Sequence, residues 1–104
     1  MKEELQDLID LLHERKCSCV LRNGEIYTFE RRGVEDLYDL LREQPGLLLG
    51  ADVADKVVGK GAAALMVLGR VRRVYADVLS EPAYGLLFQT GISVSYGRLV
   101  SAIR

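Results

Sequence analysis

Apolar residues first recur at helical spacing, at Leu5, Leu8, Ile9 and Leu12, with Glu3, Glu4, Asp7, Asp10 and Glu14 on the other side. That pattern predicts an amphipathic helix of roughly a dozen residues. The period then shortens. Cys17 to Arg22 and Glu25 to Glu30 read as strands, and Asn23-Gly24 between them is a hairpin signal, because both residue types tolerate positive φ. Arg22 and Glu25 would flank that turn as a cross-strand ion pair.

Helical spacing returns over Val34 to Glu43, where Val34, Leu37, Tyr38 and Leu41 form the apolar stripe and Pro45-Gly46 ends it. Leu47 to Leu49 reads as a short buried strand or an extended connector. A turn at Gly50 leads into a third helix, from about Asp52 to Leu68, closed by Gly69. Val71 to Leu79 is rich in β-branched and aromatic residues and predicts a strand. Ser80-Glu81-Pro82 opens a fourth helix, with Ser80 as N-cap and proline tolerated in the first turn. That helix runs to about Thr90 and stops at Gly91; Ile92 to Ser95 is a last strand, and Tyr96 to Arg104 carries no clear period. Strands joined through helices after a hairpin predict a mixed sheet with helices on both faces.

The central helix concentrates the candidate chemistry. Asp52 as N-cap and Asp55 at N3 would satisfy backbone amides and suit the positive end of the helix dipole. Two carboxylates there would also block a phosphate. Asp52, Lys56 and Lys60 fall at i, i+4 and i+8 on one helix face. Asp55, Lys56 and Lys60 read either as solvated ion pairs or as part of a ligand site. Gly59 and Gly61 each cost about 1 kcal/mol against alanine inside a helix. With Ala62 and Ala63 they signal a close approach, either to the sheet or to another subunit.

Composition narrows the class. The chain has 104 residues, enough for one core, and a net charge of −1, too weak a field to gather nucleic acid or an anionic membrane. Its apolar runs are too short to span a bilayer, and Met1-Lys2-Glu3-Glu4 lacks the layout of a signal peptide, so a cytoplasmic protein is expected. Cys17 and Cys19 are then thiols, and residues two apart along a strand lie about 7 Å apart, too far for a relaxed bridge.

The run Asp55-Lys56-Val57-Val58-Gly59-Lys60, followed by alanines, resembles the signature helix of a small prokaryotic family of unknown function. Members of that family are similar to cytidine deaminases in fold and lack their zinc site. The resemblance covers most of the chain and implies a cytidine-deaminase-like fold. Zinc deaminases carry His or Cys, Ala and a catalytic Glu at one helix start, and Pro-Cys-x-x-Cys at another. Aligned on those motifs, Val53-Ala54-Asp55 keeps only an acid, and Pro82-Ala83-Tyr84-Gly85-Leu86 has Ala83 and Leu86 in place of both cysteines. The resemblance therefore implies no zinc-activated water. Longer members run on into a Cys-Pro-x-Glu segment after the Ile and Arg on which this sequence stops, Ile103-Arg104, which implies that its contribution is absent here.

Other constellations are weaker. His13, Cys17 and Cys19 could hold a metal only if a helix end and a strand start converge; cysteine as a small core residue and His13 as complement to a helix dipole explain them more simply. The same residues lack an orienting third group for nucleophilic catalysis. Arg70, Arg72 and Arg73 with Arg31 and Arg32 would read phosphate if the two segments adjoin, and are otherwise solvated strand ends. Tyr75 reads as half-buried core and Tyr84 as the better stacking partner for a base. Gly59-Lys60-Gly61 is no P-loop.

The expectation is one α/β domain over residues 1–104, a three-layer α-β-α mixed sheet, cytidine-deaminase-like. The leading function is a non-catalytic nucleotide- or nucleoside-binding or regulatory module. Its candidate ligand residues are Asp52, Asp55, Lys56, Lys60, Ser80, Glu81 and Tyr84, in a crevice between two helix starts. No metal or cofactor is expected, nor a nucleic-acid polymer or membrane as partner; a homo-oligomer, a dimer, is. The alternatives are a structural homo-oligomer without a small ligand, and a metal-independent enzyme using Lys56 as nucleophile beside Asp55.

Overall fold

The computed structural model describes residues 5–31 and 34–103. Met1 to Glu4, Arg32, Gly33 and Arg104 lie outside the described residues, and with them the acids expected on the first helix at Glu3 and Glu4. Helix α1 (Leu5–Glu14) leads to the hairpin β1 (Cys19–Asn23) and β2 (Glu25–Phe29). Then come α2 (Glu35–Glu43), the single turn α3 (Pro45–Leu48), β3 (Asp52–Val58), α4 (Lys60–Gly69), β4 (Arg73–Ser80), α5 (Glu81–Gln89) and β5 (Ser93–Val100). The strands form one mixed sheet in the order β2-β1-β3-β4-β5. β1 runs antiparallel to β2 and β3, while β3, β4 and β5 are parallel, joined through α4 and α5. Parallel neighbours need such crossovers.

The layers follow from which side chains each strand sends to each face. Val20 and Ala54 join Leu8, Leu12 and Cys17 under α1. Leu21, Val53, Val74 and Ala76 join Leu37, Leu40, Leu48, Ala62, Ala63, Met66 and Leu87 on the opposite face, beneath the other helices. The expected three-layer α/β sheet is therefore present, with α1 alone forming one outer layer.

Several local expectations are corrected. The helix expected from Asp52 to Leu68 is a strand and then a helix. Residues 52–58 are the middle of the sheet, flanked by β1 and β4, and Val53, Ala54 and Val58 are fully buried. Residues 52–55 are buried on both faces of this central strand, Asp52 and Asp55 among them, so apolar and polar positions do not alternate and the period is hidden. Gly59, in an extended conformation, is the N-cap of α4, and no side chain caps it. The small residues of α4 serve packing within the chain. Ala62 and Ala63 are buried in the core, and a Cβ at Gly69 would stand 2.7 Å from Leu48 Cδ1.

Leu47 is helical rather than extended, because Pro45 takes the first helical position of α3. The Asn23 side-chain amide donates to the carbonyls of Gly46, Leu47 and Leu49, which fixes that turn against the hairpin. The hairpin forms, but Asn23 pairs with Glu25 across Gly24 alone, which has φ +78. Arg22 faces Ile26 rather than Glu25 and turns to Asp52. The last strand is longer than the apolar signal suggested, reaching Val100. The fourth helix starts as expected: Ser80 Oγ accepts the Ala83 amide at 3.2 Å.

Candidate functional site

A cavity of about 810 Å³ opens where β3 ends and α4 begins. Ligand pockets commonly run from about 300 to 1,000 Å³. Its polar lining comes from Asp55 and Lys56 at the end of β3, Ser18 and Cys19 beside them, Lys60 at the start of α4, and Lys16, Glu30, Arg31 and Asp36. Its apolar side includes Val34, Leu37, Val57 and Ile103. Ile103 follows the last strand and packs at the N-terminus of α4, where a Cβ on Gly59 would be 3.5 Å from Ile103 Cβ.

Asp55 is the buried polar group of this cavity, with 7% of its surface exposed. Its Oδ1 accepts the Val57 amide at 3.3 Å, and it pairs in register with Cys19 of β1, whose thiol bonds its carboxyl. Burial outweighs these bonds and pushes its pKa up to about 7. Burial, then the nearby Asp55 carboxyl, raise the Cys19 thiol well above its ordinary value, so it stays protonated and is no nucleophile. Lys56 and Lys60 are exposed and make no ion pair with any described residue. The burial that a Lys56 nucleophile would need is therefore missing. Arg31 is engaged by Asp36, at 2.9 Å, and by Asp39. The first turn of α4 carries no acid. The carboxylates expected to block a phosphate at this helix end stand in β3 instead.

Asp52 is at the opposite end of β3, and is no N-cap. It is 2% exposed and gripped by Arg22, Arg72 and Arg73, the last at 2.7 Å. Burial alone would raise its pKa, but the three guanidinium bonds hold it well below the usual carboxylate range. Arg72 and Arg73 therefore do not adjoin Arg31, and Arg32 lies outside the described residues. Ser80, Glu81 and Tyr84 do not line the cavity either. Ser80 caps α5, Glu81 is exposed in its first turn, and Tyr84 stacks on Phe88 at 5.8 Å and meets Tyr96 edge-on at 6.0 Å.

Of the seven candidates the fold thus brings together Asp55, Lys56 and Lys60. It adds Cys19 of β1, which pairs beside β3, Glu30 and Arg31 after β2, and Asp36 on α2, a placement that no local spacing reveals. His13 does not meet the two cysteines. Its Nε2 is 2.7 Å from Asp77 Oδ1, which also accepts the Tyr75 hydroxyl at 2.7 Å. Burial, then that bond, raise Tyr75 to about 12. Cys17 and Cys19 are free and belong to different core clusters. Among the described residues no three His, Cys, Asp or Glu gather as metal ligands, and no helix is long and apolar enough to cross a membrane.

Residues 7–104 match the model of the TM1506 family, described as a domain of unknown function, DUF1893. The chain belongs to that family. A crystal structure of a family protein from Thermotoga maritima superposes with a TM-score of 0.86 at 24% identity, over 99% of this chain and 71% of that one. RibD of Acinetobacter baumannii matches more distantly, with a TM-score of 0.57 at 16% identity, over 89% of this chain and 34% of RibD. At these identities both likenesses speak of fold, and the second supports the deaminase-like architecture expected above. No curated protein matches. Within this fold, the helix after β3 starts at Gly59-Lys60-Gly61. Those residues, not Val53-Ala54-Asp55, stand at the first helix start. Pro82-Ala83 does open α5.

Proposed function

We propose that this family member is a non-catalytic module that binds a nucleotide or nucleoside in the cavity at the end of β3. One observation carries the reading: a cavity of ligand size joins a buried carboxylate, two lysines without acid partners among the described residues, and a helix whose first turn carries no acid. Phosphate would sit against the first amides of α4, between Lys56 and Lys60. Asp55 would bond a hydroxyl or amine of the sugar or base, and Val34, Leu37, Val57 and Ile103 would cover the ring. Placement beyond the carboxyl end of a parallel strand is where sheets of this kind hold ligands.

A thermal-shift screen against nucleosides, nucleotides and NAD tests it. At a hundredfold excess over Kd, binding adds about 2.7 kcal/mol, on the order of 10 °C in Tm for a chain this size. Replacing Lys56 and Lys60 together with alanine should abolish the shift and leave the unliganded Tm within about 2 °C, since both are exposed. No shift with any compound refutes the reading.

A second reading has its own support. β5 is a sheet edge of eight residues, and Phe88, Tyr96 and Leu99 are exposed on or beside it. An open edge with apolar neighbours suits pairing with a second copy. A dimer on sizing, with no ligand shift, would favour a structural homo-oligomer.

A further inference from the structure

The surroundings of Asp55 have a consequence for whatever anion enters the cavity. From β1, Cys19 faces it with a neutral thiol. From α2 comes Asp36, already bonded to Arg31. From β4 comes Asp77, whose carboxylate is held by His13 and Tyr75 and whose charge also acts on Asp55. Lys56 adjoins it in sequence and Lys60 begins α4, yet neither ammonium contacts the carboxyl, and Lys16, Glu30 and Arg31 line the same cavity. Among the described residues no cation pairs with Asp55. Burial already favours its neutral form in the empty cavity. An anion on the α4 amides would bring a second negative charge into the same cavity, and a like charge nearby disfavours the ionised carboxyl further.

We propose that at neutral to mildly alkaline pH binding of an anion in this cavity takes up a proton from solvent, held on Asp55. The inference rests on the anion occupying the cavity proposed above. It adds a regulation: occupancy follows pH in the neutral range, where small changes alter whether the carboxyl yields. The protonated carboxyl keeps its carbonyl oxygen, so it still accepts a bond from a ligand hydroxyl or amine.

Sulfate is the probe, because it stays fully ionised across the neutral range and any proton taken up must be the protein's. The Asp55 carboxyl carbon, followed by NMR through a pH titration, should show its midpoint move upward when sulfate saturates the protein. Between the free and the sulfate-saturated midpoints sulfate affinity should fall by up to tenfold per pH unit, the slope for one linked proton, and level off beyond them. In Asp55→Asn the affinity should become independent of pH. A wild-type affinity that stays flat, a midpoint that sulfate leaves in place, or a slope that survives in Asp55→Asn would overturn the inference; the last would place the proton on another group. Sulfate binding to neither protein at any pH removes the anion cavity itself. The two failures are thus told apart.

Discussion

Asp55→Asn should make this protein more stable, and by an amount that depends on pH. The unfolded chain releases the Asp55 proton near 3.8, whereas the folded protein holds it to about 7. Below about pH 4 both states carry the proton and the carboxyl costs folding nothing. As pH rises through the interval, the unfolded state ionises first, so stability falls until the folded carboxyl ionises too. Above about 7 the loss is complete. The gap is about a thousandfold in proton affinity, about 4 kcal/mol. Asn has the shape of the neutral acid and can still accept the Val57 amide. The variant should therefore match the wild type near pH 4 and exceed it by about 2–4 kcal/mol at pH 8. Urea unfolding at a series of pH values measures the difference directly, since a changed midpoint at constant slope is a changed stability. If Asp55→Asn is the less stable protein at pH 8, or if the difference does not grow between pH 4 and 8, Asp55 is ionised at an ordinary pKa and the electrostatic picture of the cavity is wrong.

At the other end of β3, Asp52→Asn should cost about 3–5 kcal/mol, because it leaves Arg22, itself 6% exposed, beside an uncharged amide. Calorimetry at neutral pH measures it, and a loss below 1 kcal/mol would refute the role given to the arginine cluster. The sign of its pH dependence is opposite to that of Asp55: the stabilisation is full above the unfolded carboxylate's pKa and disappears as pH falls through the lower folded one. Gly69→Ala should lose about 1–3 kcal/mol despite alanine's better helix propensity, since the added methyl meets the Leu48 side chain, down to its Cβ at 2.8 Å. A stabilised Gly69→Ala would show that Leu48 yields freely.

Local chemistry was legible wherever a local rule settled the outcome. Ser80 caps α5 because its hydroxyl needs only the Ala83 amide three residues on. Gly24 turns the hairpin because its own φ is positive. The segment from Asp52 to Leu68 failed for the opposite reason. An acid four residues before a lysine reads equally well on a helix face or in a strand. What makes Asp52 a strand residue is three arginines, one thirty positions earlier and two about twenty later. The β-branched Val53, Val57 and Val58, ahead of Gly59, were the signal available. The same error moved the candidate site. With the helix start shifted to Lys60, Asp55 and Lys56 stay in it, while Asp52, Ser80, Glu81 and Tyr84 leave.

Ile103 closes one side of a cavity whose other walls begin at Lys16. Its walls come from segments far apart in the chain rather than from one local stretch. Loosening the contact of Ile103 with Gly59 would widen the opening without touching the hydrogen-bond ladder of the sheet. Access can therefore change while the scaffold around it stays folded.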